Sequence, residues 1–219
     1  MIFKLSEKNN GTSILGFAGI KGLVSQGDRV REFLEASTPS RILVSISPEE
    51  VEGLRSFLKD PFEMNLSDYE IIYRVLLSKY VEVMTPPPIY IEAMNYSDRT
   101  GAAIIGIDMD EEHFNDLYQN EISSLHLLRH SLRKKKISRN LSPGEDPYEF
   151  VEMWAHQIGK IKGFARVDER RADHMSTIVV EQMSSGIKNT VLIIDYELFG
   201  RFSSIITKVD GVFLEKYSP

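Results

Sequence analysis

The sequence predicts an α/β to α+β fold: a mixed β-sheet with an N-terminal hairpin, flanking helices and a long helical insertion in the middle. Three observations carry this. Short apolar, strand-like segments alternate with segments of helical periodicity. Asn10-Gly11 sits between two alternating apolar runs, the strongest short-range hairpin signal. AAIIGIDMD is almost wholly apolar, the pattern of a strand covered on both faces. The 219 residues read as one domain, 1–219, with 112–185 as its helical insertion. A chain of this length buries a substantial core.

The elements follow in order. IFKLSE and GTSILGF form the two strands of the hairpin. QGDRVREFLEAS is helical, and SRILVSIS is a short β-branched strand ended by Ser47-Pro48. Pro48 opens a helix well, because its missing N–H costs nothing in the first turn, and Glu49 and Glu50 suit the positive end of the dipole. A further helix spans LSDYEIIYRVLLSKYVEVM, until Thr85-Pro86-Pro87-Pro88 forces a corner. IYIEAMNYSDRT is a helix capped by Gly101. Two long helical stretches, 113–136 and 146–185, flank a Ser142-Pro143-Gly144 linker. KNTVLIIDYE is then a buried strand, RFSSIITK a short helix and DGVFLEKY a last strand.

Composition excludes several classes. Hydrophobic residues make up 42% and charged residues 26%, as in ordinary globular chains. A net charge of −6 disfavours wholesale binding to nucleic acid or anionic lipid. No apolar run is long enough to span a membrane, and MIFKLSEKNN has no signal-peptide core. With zero cysteines there is no disulfide, thiolate nucleophile or cysteine metal site, and a cytoplasmic location is expected.

The glycines of NNGTSILGFAGIKG fit neither phosphate-binding pattern: no Gly-Lys-Ser/Thr closes the run, and no G-x-G-x-x-G occurs. His126 and His130 share a helical face, as a metal pair would, but Leu127 stands where a zinc protease carries glutamate. Arg129, Arg133, Lys134, Lys135, Lys136 and Arg139 form a basic run that complements a helix C-terminus or faces an acidic partner. Asp108, Asp110, Glu111, Glu112 and His113 crowd the end of an apolar strand, where open sheets bind ligands. Helix capping by Asp110 explains most of that cluster. Asp168, Glu169, Arg170 and Arg171 form either a surface ion-pair mesh or, beside a cleft, an anion-binding group.

In this order the fragments resemble the TraB/PrgY family and its wider GumN, Tiki, erythromycin-esterase and ChaN-like relatives. The resemblance runs over nearly the whole chain: Gly11-Thr12, the Pro48 helix, Ile107-Asp108-Met109-Asp110, the Asp168-Glu169-Arg170-Arg171 helix with Met175, and the buried strand ending at Asp195. It implies a hydrolase ancestry whose histidines are replaced here by Ile14 and Leu198, with Ser45 in place of a family glutamate and Glu50 in place of a family arginine. Neither isoleucine nor leucine can bind a metal or move a proton. The expectation is therefore a non-catalytic, ligand-binding or regulatory protein with no catalytic residue, no metal site and no cofactor. Thr12, Asp108, Asp110, Arg170, Arg171, Asp195 and Glu197 are its candidate ligand contacts. The partners implied are a small ligand or another protein, including a homodimer, with no nucleic acid and no membrane insertion.

Two alternatives stand beside it. One is a manganese- or magnesium-dependent hydrolase or peptidase with relocated ligands drawn from Asp108, Asp110, His113, Asp195 and Glu197. The other is a scaffold assembling through its long helices, with the basic run facing an acidic partner.

Overall fold

The computed structural model of the chain describes residues 1–8, 11–140, 146–187 and 189–217, without the side chains of 134–140. The Asn9-Asn10 part of the turn and the Ser142-Pro143-Gly144 linker lie outside the described residues. Six strands form one mixed sheet, in the order β4-β3-β5-β2-β1-β6. They are β1 (Ile2–Glu7), β2 (Ser13–Gly19), β3 (Arg41–Val44), β4 (Ala103–Gly106), β5 (Thr190–Asp195) and β6 (Val212–Tyr217). β4, β3, β5 and β2 run parallel to one another; β1 is antiparallel to both β2 and β6.

The helices are α1 (Val24–Ser37), α2 (Pro48–Lys59), α3 (Asp68–Leu77), α4 (Pro88–Thr100), α5 (Glu111–Glu121), α6 (Ser124–Asn140), α7 (Pro147–Gly159), α8 (Lys162–Ser184) and α9 (Tyr196–Ile206). Alternation along β5 decides what each face holds. Val191 and Ile193 enter a core with Val30, Leu34, Ile89 and Met94 from α1 and α4. Leu192 and Ile194 enter the opposite core with Met175, Val179, Phe199 and Phe202 from α8 and α9. A third core, built on Tyr73, Phe150 and Trp154 of α3 and α7, takes in Ile20 and Leu23 just beyond the end of β2.

Local signals set most boundaries. Ser47 and Glu50 form a reciprocal capping box at the start of α2, with Pro48 in its first turn. Gly101 ends α4 at φ 77°, a left-handed cap that glycine adopts without strain. Gly16 pairs with Phe3 across the hairpin, and a Cβ there would overlap the Phe3 ring, which also packs on Phe199 at 4.8 Å. Gly16→Ala is expected to cost about 2–3 kcal/mol by overpacking, read as a lower urea midpoint at unchanged m.

Four expectations need correction. AAIIGIDMD yields only β4, an edge strand whose residues are half-buried or exposed, because nothing pairs beyond it among the described strands. The helix expected over 66–84 stops at Leu77, since Val24 N–H donates to the Glu82 carbonyl and Met84 N–H to the Gly22 carbonyl, pulling the chain extended. The stretch 113–136 divides between α5 and α6 at Ile122-Ser123. The stretch 146–185 divides at Lys160-Ile161 into α7 and α8, the latter bringing Gly163 tight against His126 and the Glu121 carbonyl.

Candidate functional site

β2 leads into α1 on one face of the sheet, and its neighbour β5 leads into α9 on the other. Adjacent parallel strands whose connections leave in opposite directions open a crevice at their carboxyl ends, where such sheets bind ligands. Lys21 and Asp195 meet there: Gly19 and Asp195 are level in the register, and Lys21 Nζ lies 3.1 Å from Asp195 Oδ2. Asp195 also caps α9 by accepting the Glu197 N–H, while its own N–H donates to Ser45 Oγ at 2.8 Å. Ser45 Oγ and the Tyr90 hydroxyl are 3.0 Å apart. Ser45, Tyr90 and Asp195 are buried, whereas 40% of the Lys21 side chain stays exposed.

Electrostatics fix these charge states. Asp195 holds the Lys21 ammonium well above its ordinary pKa, outweighing the opposing effect of burial. Burial, with the Asp195 charge second, raises both Tyr73 and Tyr90, so both are neutral hydroxyls at neutral pH. Glu197 reaches Lys21 at 3.9 Å, and burial pushes its carboxyl up to about 7. Between its ordinary value of 4.5 and about 7, the folded chain keeps a proton that the unfolded chain has released. Stability therefore falls as pH rises through that window, by about 3 kcal/mol in all, and the slope should flatten in Glu197→Gln when urea midpoints are compared from pH 5 to 8.

A second pair braces the same edge. Arg171, on α8, grips Asp108 after β4 through two nitrogens: Nε lies 3.2 and 3.0 Å from the carboxylate oxygens, and Nη2 bonds Oδ2. The chain of charges continues through Asp168, 3.9 Å from Arg171 and 3.6 Å from Arg201. Burial lowers Arg171, and Asp108 more than offsets this, leaving it raised; burial also raises Asp168.

Lys21, Ser45, Tyr90, Arg171 and Asp195 floor a cavity of about 400 Å³. One wall is polar, with Lys21, Ser45, Tyr73, Tyr90, Arg171 and Asp195; the other is apolar, with Leu54, Phe57, Leu66, Met84, Pro86 and Pro87. Phe62 and Met64, both exposed, border it as well. Glu50 and Glu70 face it too, but each accepts from the backbone N–H of the serine that caps its helix. Two lining groups have no hydrogen-bond partner: the hydroxyl of Tyr73, a residue 4% exposed, and the buried Nε of Arg74. No described carboxylate is ion-paired with Arg74. Leaving buried donors unpaired costs about 1–3 kcal/mol each, which a ligand oxygen would recover.

The residues singled out from the sequence divide accordingly. Asp195 and Arg171 line the cavity, and Asp108 stands behind Arg171. Glu197 reaches Lys21 from behind and borders a separate groove with Glu152, His156 and Arg201. Arg170 turns elsewhere, beside Glu169, Asp173 and Lys208, so Arg171 is the arginine of the cleft. Asp110 caps α5 and holds the exposed His113 ring at 2.8 Å, which raises His113 and lowers Asp110. Thr12 precedes β2, at the end of the strand away from the cleft. None of Thr12, Asp110, Arg170 and Glu197 lines this cavity.

Ile14 and Leu198 share one core but not the cleft. Ile14 lies five residues before Gly19, about 16 Å along the strand from the level of Asp195, while Leu198 sits in the first turn of α9. They are core residues at opposite ends of the parallel strands, not two walls of one site. The relocated ligands of the metal alternative likewise fall into separate pairs with Lys21, Arg171 and His113, and among the described residues no group of three or more metal-ligating side chains assembles. His126 accepts the Ser123 N–H over Gly163, and His130 stacks on Phe164 at 4.6 Å, so both pack the helical layer.

Lys21, Tyr73, Arg74 and Tyr90 are not among the residues the sequence points to, and Ser45 stands out there only in place of a family glutamate. Lys21 and Ser45 follow apolar strands, as Asp108 does; the two tyrosines and Arg74 carry no such signal. A scan against protein-family models finds no match, and a search of curated proteins finds no relative.

Proposed function

We propose that this chain is a non-catalytic, cytoplasmic ligand-binding protein of TraB-like type, and that its cleft takes a small molecule with an apolar body and an oxygen-bearing, anionic head. The observation that carries this is the pair of unpartnered donors, Tyr73 Oη and Arg74 Nε, on a cavity that also offers an apolar wall. Its size suits a small molecule. Arg74 supplies a cation with no ion-pair partner among the described residues, and the Tyr73 hydroxyl can donate to the same head. The apolar body would rest on Leu54, Phe57 and Met84. Non-catalysis is supported by the commitment of Lys21 to Asp195 and of Arg171 to Asp108, which leaves the floor's strongest charges satisfied by each other.

Thermal unfolding in decanoate, decanol and inorganic phosphate tests the reading, because a ligand that binds only the folded state raises Tm by mass action. Decanoate is expected to raise Tm more than decanol or phosphate, and Arg74→Gln should remove the advantage of the carboxylate. Unchanged Tm in all three, or equal stabilisation of Arg74→Gln and parent by decanoate, would count against it.

A further inference from the structure

α2 turns one stripe toward the cleft: Glu50, Gly53, Leu54 and Phe57 all line it, at the spacing of a single helical face. In the middle of that stripe stands a glycine, the poorest helix former after proline. Neither of the usual reasons for a helical glycine applies. Its φ is not positive, and a Cβ built on Gly53 meets nothing within 4 Å. By contrast, a Cβ on Gly27 would fall 2.7 Å from the Pro88 Cβ, and one on Gly163 2.5 Å from His126 Nδ1, so close packing accounts for those two. Gly53 is exposed, and its missing side chain leaves a gap in a wall otherwise lined by side chains. The gap lies on the way out from the floor. Ser45 belongs to the floor, Ser47 caps α2, and Gly53 stands about 9 Å beyond that cap along the helix axis. Phe57 follows one turn later, with the exposed Phe62 ring edge-on to it at 5.5 Å.

We propose that Gly53 is the specificity-determining residue of the cleft, opening a channel one side chain wide through which an unbranched aliphatic tail crosses α2 toward Phe57, Phe62 and Met64. The inference rests on the ligand-binding reading of the cleft and narrows its ligand to straight-chain anions. Glu50 and Phe57, one turn away on either side, bound the gap, so it passes a methylene chain but not a caged or branched body. The tail covers Phe62 and Met64, 53% and 39% exposed, so this apolar surface leaves water only when the ligand is bound. Helix propensity and apolar burial are thus both given up at one place, the combination expected where stability is exchanged for binding space.

Calorimetric titration of the full chain with decanoate and with adamantane-1-carboxylate tests it, beside thermal unfolding of the unliganded variants. The parent should bind decanoate more tightly than the caged acid. Gly53→Leu should unfold at or above the parent's temperature, because leucine favours helix and the site has room, yet raise the decanoate dissociation constant at least about tenfold. Gly53→Ala carries the test if Gly53→Leu fails to fold: it should raise Tm and still weaken decanoate by about twofold or more. Gly200→Leu, the same change at an equally open helical glycine in the separate groove, should bind decanoate as the parent does. Three results would overturn the channel and leave the reading of the cleft standing: decanoate bound equally by parent and Gly53→Leu, decanoate weakened as much by Gly200→Leu, or a parent that binds the caged acid as tightly. A parent that binds neither carboxylate would overturn both.

Discussion

Arg171→Met should lower the unfolding free energy by about 3–5 kcal/mol, because it strands the Asp108 carboxylate, only 5% exposed, without its cation. The remaining partner of that carboxylate is the Met109 N–H at 2.8 Å, too little to replace a two-nitrogen guanidinium grip. The effect should shrink when the charge is removed as well: Asp108→Asn combined with Arg171→Met should be more stable than Arg171→Met alone. Urea unfolding of the parent, both single variants and the double variant measures this directly. If Arg171→Met loses under about 1 kcal/mol, the pair is a solvated surface contact and not a brace of the cleft.

Trp154→Ala should cost a similar amount, about 3–5 kcal/mol, for a different reason. Trp154 is 1% exposed and packs against Tyr69 at 4.6 Å, Tyr73 at 5.4 Å and Phe150 at 6.0 Å. With three rings enclosing the indole, most of the loss is packing. Removing the ring opens a void beneath α3, the helix that holds Tyr73 and Arg74 over the cleft. Decanoate should therefore stabilise Trp154→Ala less than the parent, beyond the drop in Tm. Trp154→Phe, which keeps most of the volume, should retain both stability and the decanoate response. Full ligand response in Trp154→Ala would show that α3 keeps its place without this core.

How much of this the sequence reveals depends on how local the determining physics is. The hairpin strands, the Pro48 helix, the Gly101 cap and the doubly covered β5 were legible, since turn chemistry, capping and periodicity act within a few residues. β4 misled because an apolar run does not reveal whether a strand is central or at an edge; that depends on where β5 inserts. The breaks at Leu77, Ile122 and Lys160 misled because helical periodicity continues through them and the interruptions come from tertiary contacts, such as the Val24 N–H bonding Glu82.

The site divides along the same line. Asp195 and Asp108 were legible as acids at strand ends. Lys21 lies in a glycine-rich stretch that fits no phosphate-binding pattern, and its role depends on a carboxylate 174 positions later in the chain. Arg170 and Arg171 differ by 100° around α8, which the sequence alone cannot orient relative to the sheet. Tyr73 and Arg74 become site residues only because α3 folds across the carboxyl ends of the strands.

The central claim is that the cleft between Lys21 and Arg74 holds an anionic, partly apolar ligand, and an amide-detected NMR titration of the chain with decanoate tests it most directly. The account predicts that the signals of Lys21, Ser45, Tyr73 and Arg74 move together and saturate along one binding curve, while those bordering the separate groove at Glu152 and Lys216 stay still. Stationary cleft signals at excess decanoate, or shifts confined to that second groove, would contradict it.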